Sequence, residues 1–207
     1  MIHVTKRRSK HAPRDTRTIE PVTPRFNPWL ACPITFDRGD HATSIRHEGL
    51  ATLVLDPIIN RYHLTRVLMD GGSGLNLIYQ DTVCKMGIDP TKISHSNTTF
   101  GGVIPGPEAR CTGSLLLEVV FGSPDNFRSE RITYHIAPFR SGYQALLGRT
   151  TFACFNAIPH YAFLKLKLPG PHGIITVSGN TERFFMCGRG CGGFNSLELD
   201  GLTNQKK

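Results

Sequence analysis

A chain of 207 residues, of which 39% are hydrophobic, can form one domain with a modest core and have tails beside it. No apolar run approaches the roughly 18 residues of a membrane span, and the basic N-terminus lacks the apolar stretch of a secretory signal, so we expect a cytoplasmic protein without a membrane contact. The net charge of +8 is uneven, because residues 1–30 hold seven Lys or Arg against two acidic residues.

Residues 1–33 are basic, contain five prolines and show no regular hydrophobic period, which predicts a disordered leader. A weak RNA contact through these basic residues is one interpretation. A solvated leader without any partner explains the same composition, so the two interpretations remain open.

The six cysteines are scattered along the chain, which predicts reduced thiols in an intracellular protein. Cys187 and Cys191 enclose Gly-Arg-Gly near the C-terminus, but a zinc site would need further Cys or His ligands nearby. The nine histidines form no metalloprotease pattern. We therefore expect neither a metal nor a cofactor.

From residue 34 onwards, short apolar or alternating runs are bounded by Gly, Pro and Asn, which is typical of β-strands. Strands are predicted at 34–36, 50–55, 62–69, 75–79, 115–121, 131–137, 163–168 and 173–177. Short helices are predicted at 80–86, with Gly87 as the stop, and at 150–156, with Thr150 or Thr151 as the N-cap.

This pattern favours an all-β domain, a closed barrel with one or two short helices, over residues 34–178. Residues 179–207 lose the pattern and are predicted to be an unstructured tail.

One predicted strand leads directly into a short acidic loop. Residues 67–69 are apolar, and Asp70, Gly71, Gly72 and Ser73 follow them. Asp-Gly is also a common hairpin turn, so these four residues alone favour a turn. The same arrangement can present a carboxylate at the end of a buried strand, with glycine backbone close to the acid and a hydroxyl able to bond it.

Two downstream segments change that interpretation. Residues 100–107 carry three glycines and two prolines around an apolar Val103-Ile104 pair, which predicts a hairpin with a mobile tip. Leu146-Leu147-Gly148 then forms an apolar run that ends on glycine immediately before the second short helix.

This order of features resembles the retropepsins, the protease subunits of retroviruses and retroelements. Over residues 34–177, the sequence resembles the protease-like region of plant gypsy-type LTR retrotransposon polyproteins. The matching segments are 64–76, 85–88, 147–149 and 164–171.

The resemblance implies a retropepsin-like fold and an aspartic endopeptidase that cleaves a retroelement polyprotein, in the cytoplasm or in a virus-like particle. Asp70 would be the catalytic acid and base. In the active-site loop Gly71, Gly72 and Ser73, Gly72 would bring a backbone N–H to the carboxylate. Ser73 would brace the outer oxygen of the carboxylate.

The resemblance also implies a flap that closes over the substrate and an apolar segment that packs the acidic loop. The flap residues would be Phe100, Gly101, Gly102, Val103 and Ile104. The packing residues would be Leu146, Leu147 and Gly148, the last leaving room for the loop.

A single carboxylate cannot serve as both acid and base in this hydrolysis. Two carboxylates about 3 Å apart share one proton and split their pKa values, and aspartic proteases are the general example of this effect. The chain has one Asp-Gly-Gly-Ser, and its other Asp-Gly, at Asp200, falls in the tail. A C2 homodimer with Asp70 from each copy at the axis is therefore expected.

Gly71 stands where the family has a Thr or Ser whose hydroxyl bonds across the dimer axis. Its absence removes a hydrogen bond worth about 0.5–1.5 kcal/mol per subunit and predicts a weaker dimer. The alternative is thus a catalytically inactive dimerisation or peptide-binding module from a degenerate retroelement. A nucleic-acid-associated fragment that uses the basic leader is a third hypothesis.

Overall fold

The computed structural model describes residues 33–41, 52–100 and 109–180. The strands in these ranges are β1 Val54–Leu55, β2 Ile58–Ile59, β3 Tyr62–His63, β4 Val67–Asp70, β5 Leu77–Tyr79, β6 Thr99–Phe100, β7 Ala109–Arg110, β8 Ser114–Ser123, β9 Asn126–Ala137, β10 Ala145–Gly148, β11 Ile158–His160, β12 Lys165–Gly170 and β13 Gly173–Ser178. The helices are α1 Gln80–Lys85 and α2 Arg149–Phe155, with 3-10 turns at Arg38–Asp40 and Pro90–Lys92.

The strands form three sheets, and the predicted all-β fold is confirmed. The largest sheet has eight strands in the order β1-β4-β10-β5-β9-β8-β2-β3, and the smaller sheets are β11-β12-β13 and β6-β7. Across the described ranges, β1 and β3 end the eight-strand ladder and do not pair with each other. Strands β12 and β13 pack against β8 and β9, so a second sheet helps to enclose the core.

Two strands in which buried apolar residues alternate with more exposed ones supply much of that core. In β8 every second side chain is buried, at Leu115, Leu117, Val119 and Phe121. Leu166 and Leu168 of β12 are fully buried while the lysines alternate with them on the other face, as the sequence predicts. Each fully buried side chain of this size stabilises the fold by about 1.5–3 kcal/mol.

Strands β1, β4, β10 and β5 are buried on both faces. Val67 and Met69 of β4 face the main core, whereas Leu68 belongs to a second apolar cluster on the opposite face. Ala145 and Leu147 of β10 likewise alternate with Leu146. Burial on both sides explains why these strands have continuous apolar sequences.

The predicted strand 62–69 is two strands, β3 and β4. The side-chain carbonyl of Gln144 accepts hydrogen bonds from the N–H groups of Thr65 and Arg66, at 2.8 and 2.9 Å. These amides are therefore unavailable to a neighbouring strand, and the chain changes direction between β3 and β4.

The predicted strand at 34–36 is wrong, since this segment is irregular and leads into a 3-10 turn. It is anchored by Lys167, whose Nζ bonds Thr35 O at 2.9 Å and Asp40 Oδ2 at 2.7 Å. The same ammonium lies 4.9 Å from the centre of the Phe36 ring. Its hydrogen bond also lowers the pKa of Asp40 below the usual value.

The ends of other predicted strands and helices differ from the observed ends by a few residues. Of the predicted strand 50–55, residues 54–55 are a strand, and residues 50 and 51 lie outside the described ranges. Helix α1 ends as predicted, with Gly87 at φ +59°. The strands predicted at 115–121 and 131–137 are longer, because β8 and β9 pair as far as Ser123 opposite Asn126.

The predicted leader and tail lie almost wholly outside the described ranges, as do Cys187 and Cys191. Gly179 and Asn180 are described, and their N–H groups bond Leu164 O and Val54 O. Cys84, Cys111 and Cys154 carry free thiols. No helix among the described residues is long and apolar enough to cross a membrane.

The Tyr134 hydroxyl provides a test of this core. It is buried without a hydrogen-bond partner among the described residues, and burial strongly raises the pKa of Tyr134. Tyr134→Phe removes an unsatisfied polar group, so urea unfolding should show a gain of about 1 kcal/mol. Above about pH 10 the unfolded tyrosine releases a proton that the native one retains, so stability falls with rising pH. This fall should be shallower in the variant.

Tyr62→Phe is the matched control, because the Tyr62 hydroxyl donates to Met86 O at 2.7 Å. It should lose about 1 kcal/mol of stability. Equal losses in the two variants would mean that the Tyr134 hydroxyl has a partner.

Candidate active site

Asp70 lies half-buried at the end of β4, where two parallel strands run side by side. Strand β10 pairs with β4 in parallel, placing Leu146 beside Leu68, Leu147 beside Met69 and Gly148 beside Asp70. Because the strand before Asp70 is buried on both faces, the position of the carboxylate is fixed by the core.

The loop after Asp70 directs its backbone N–H groups in a defined way. Gly72 N–H donates to Asp70 Oδ1 at 2.9 Å, which matches the predicted approach of a backbone amide to the carboxylate. Ser73 N–H donates to Asp70 O at 3.2 Å, closing a turn. Gly71 N–H donates to the phenol oxygen of Tyr161 at 3.4 Å.

The predicted bond from Ser73 to the Asp70 carboxylate is not found. Ser73 Oγ donates to Leu75 O at 2.8 Å and accepts from Leu75 N–H at 3.2 Å. A serine hydroxyl commonly bonds backbone two residues away, and this local geometry competes with the longer contact. Ser73 therefore stabilises the loop through its own backbone.

Gly148 allows β10 to pass directly beside the loop, as the sequence predicts. A Cβ at this position would lie 2.7 Å from Ser73 O and would also collide with Leu75 O. The next residue, Arg149, donates its N–H to Ser73 O at 3.0 Å. Leu146 and Leu147 pack on opposite faces of the sheet, so both apolar clusters contact the strand pair that carries the loop.

Asn76 is a site residue that sequence reasoning missed. Its side chain is buried, and its Oδ1 accepts from Gly148 N–H at 2.8 Å and from Thr151 Oγ1 at 2.7 Å. Its Nδ2 donates to Thr133 O at 3.1 Å and to Thr150 Oγ1 at 3.0 Å. One amide thus joins β9, β10 and α2. The sequence signal for this role is a polar Asn between two leucines directly after the loop.

The prediction that Thr150 or Thr151 caps the second helix is wrong. Helix α2 begins at Arg149 with Gly148 as N-cap and without a side-chain cap. Thr150 and Thr151 lie inside the first turn, and their hydroxyls contact Asn76. The threonines connect the helix to the acidic loop instead of capping the helix.

The predicted flap is described only at its base. Strands β6 and β7 pair as a hairpin, with Phe100 opposite Ala109, while Gly101, Gly102, Val103 and Ile104 lie outside the described residues. The Phe100 ring lies 5.6 Å from that of Phe139, which in turn lies 5.7 Å from Tyr79. The hairpin base therefore rests on the second apolar cluster.

The site presents one carboxylate. The described contacts of the Asp70 loop are to backbone, Tyr161, Phe152 and Arg149, and contain no second carboxylate. Within the described ranges, no group of three or more His, Cys, Asp or Glu side chains is placed to hold a metal ion. One such carboxylate can act either as base or as acid in a single step, so hydrolysis needs a partner group.

Three of the solved structures that this chain resembles share little sequence identity with it. The retroviral protease-like domain of Ddi1 from Leishmania major is 11% identical, with 64% of this chain and 96% of that chain covered and a TM-score of 0.49. A retropepsin-like aspartic protease from Rickettsia conorii is 16% identical, with coverages of 58% and 77% and a TM-score of 0.38. EIAV protease in complex with an inhibitor is 17% identical, with coverages of 54% and 91% and a TM-score of 0.39.

No protein-family model and no curated protein matches the sequence. Since the identities and TM-scores are low, the function of this chain rests on its own geometry.

We expect Asn76→Ala to destabilise the chain strongly. The substitution leaves the buried Gly148 N–H and the Thr151 hydroxyl without their acceptor, which should cost about 2–5 kcal/mol in urea unfolding. Asn97 is exposed, and Asn97→Ala should change stability by less than about 0.5 kcal/mol. Equal stabilities of the two variants would contradict the linking role of Asn76.

Gly148→Ala should also destabilise, by about 1–3 kcal/mol, because the backbone oxygens of Ser73 and Leu75 prevent the methyl group from fitting. Gly74→Ala is the control in the same loop, since a Cβ there would meet only the flexible end of Arg149, at 3.4 Å. Thermal unfolding of both variants measures the difference. A Gly148→Ala protein as stable as Gly74→Ala would disprove the close approach of Gly148 to the backbone of the acidic loop.

Proposed function

We propose that this chain is a retropepsin-type aspartic endopeptidase that acts as a homodimer. The observation that carries the proposal is the parallel pairing of β4 and β10, which places Asp70 beside Gly148. A backbone N–H also donates to the Asp70 carboxylate. This arrangement presents a carboxylate from a rigid, buried strand, as general acid–base catalysis requires.

The chemistry needs two such loops. In a C2 dimer the two Asp70 carboxylates share one proton, and the ionised one removes a proton from a water molecule. That water attacks the scissile carbonyl carbon, while the protonated Asp70 donates a hydrogen bond to the carbonyl oxygen. Proton transfer to the amide nitrogen then breaks the C–N bond and releases an amine and a carboxylic acid.

The substrate class follows from the surroundings of the loop. An extended peptide can lie between the acidic loops and the β6–β7 hairpin, held by backbone hydrogen bonds. The partly exposed apolar side chains that pack against the second apolar cluster beneath the hairpin, Leu75, Phe100 and Phe139, favour apolar side chains in the substrate. The sequence likeness to gypsy-type polyproteins supports a retroelement polyprotein as the natural substrate.

A catalytically inactive module that dimerises or binds peptides is the competing function. Gly71 is the specific observation in its favour, because the loop lacks the hydroxyl that ties two such loops together. Both functions predict the same fold and a dimer, so cleavage is the property that separates them.

Asp70→Asn should abolish peptide cleavage by the full chain. Removing the ionisable group should lower kcat/KM by roughly 10²- to 10⁴-fold, measured with a pool of fluorogenic peptides that carry apolar residues around a central bond. Asp125→Asn, in the exposed turn between β8 and β9, is the matched control and should cleave like the parent chain. Equal cleavage by the Asp70 variant and its parent would exclude the proposed mechanism.

Activity per chain should also rise with protein concentration and follow the dimer fraction from sedimentation equilibrium. A chain that stays monomeric at high concentration would have one Asp70 and no dyad. A dimer that binds the peptides without cleaving them would favour the inactive module.

A further inference from the structure

Tyr161 brings a hydroxyl to the position in the loop where the sequence lacks one. It lies 90 residues after Gly71, in the turn between β11 and β12, and its phenol oxygen accepts the Gly71 N–H at 3.4 Å. A Cβ added at Gly71 would lie 3.4 Å from this oxygen and 3.5 Å from Phe152 Cε2. The space beside Gly71 is therefore bounded by Tyr161 and Phe152.

The turn that carries Tyr161 is well anchored, although the residue is 40% exposed. The rings of His160 and Phe163 stack with their centres 3.9 Å apart, and Phe163 N–H donates to His160 Nδ1 at 3.1 Å. The Phe36 ring packs on His160, with centres 4.9 Å apart. Neighbours on both sides of Tyr161 are thus fixed, which limits the positions that its phenol can take.

The contact with Tyr161 completes the hydrogen bonding of the loop. The three N–H groups after Asp70 bond in turn to the Tyr161 oxygen, to Asp70 Oδ1 and to Asp70 O. Two adjacent glycines would otherwise leave this backbone free to rotate, and glycine is the residue with most conformational freedom. Holding Gly71 also restricts the orientation of Gly72, whose N–H bonds the carboxylate.

We propose that Tyr161 is a positioning residue for Asp70: its phenol oxygen, from within the same chain, accepts the N–H of Gly71 and so holds the loop that orients the carboxylate. The inference rests on the proposed function, since it concerns the geometry of the acidic loop. The contact is within one chain, so its loss should disturb the chemical step without weakening the dimer or peptide binding.

Tyr161→Phe tests this proposal in the full chain, because it removes the acceptor and retains the ring. At enzyme concentrations where the dimer is saturated, kcat should fall roughly 2- to 12-fold, the equivalent of one hydrogen bond, with KM changed by less than about twofold. Gly71→Ser added to Tyr161→Phe should restore part of kcat, since the space beside Gly71 accepts a Cβ and a serine restricts the backbone rotation that glycine permits. Tyr62→Phe removes a phenol hydrogen bond elsewhere and should leave kcat unchanged.

Amide hydrogen exchange supplies a readout that does not depend on activity. The Gly71 N–H should exchange faster in Tyr161→Phe by a similar factor, while the urea midpoint stays near that of the parent chain. Unchanged Gly71 exchange, or a kcat loss that disappears as enzyme concentration rises, would overturn the inference. If no variant cleaves peptide, the proposed function fails, and Gly71 exchange alone decides the role of Tyr161.

Discussion

One buried amide ties together the elements that place the candidate catalytic group. Asn76 follows the Asp70 loop, and its side chain bonds Gly148 of β10 and both threonines of the first turn of α2. A buried amide that keeps its partners is stabilising, and one that loses them is strongly destabilising. The loop, the crossing strand and the helix are therefore held as a unit.

That unit contains two glycines with different roles. At Gly148 a side chain would collide with the backbone of the loop, so the close parallel pairing of the strands requires glycine. At Gly71 there is room for a small side chain, and the Tyr161 hydroxyl accepts the N–H of this residue. The first glycine permits the architecture, whereas the backbone of the second is held by a residue of a distant turn.

The sequence predicted most elements because their causes are local. The alternation in β8 and β12, the continuous apolar run of β4 and the glycine after α1 are signals carried by neighbouring residues. The failures arose where a distant group decided the outcome. Gln144 interrupts the strand predicted at 62–69, because its side-chain oxygen accepts hydrogen bonds from two backbone N–H groups of that segment. Lys167 anchors the segment at 34–36 that was predicted as a strand.

By itself the sequence determined the all-β class and the position of Asp70 at the end of a buried strand. These follow from periodicity and residue size, which are properties of short segments. Only the tertiary structure decided that Asn76 joins three elements and that Tyr161 reaches Gly71. Such contacts join residues up to 90 positions apart, and they exist only once the sheets bring those residues together.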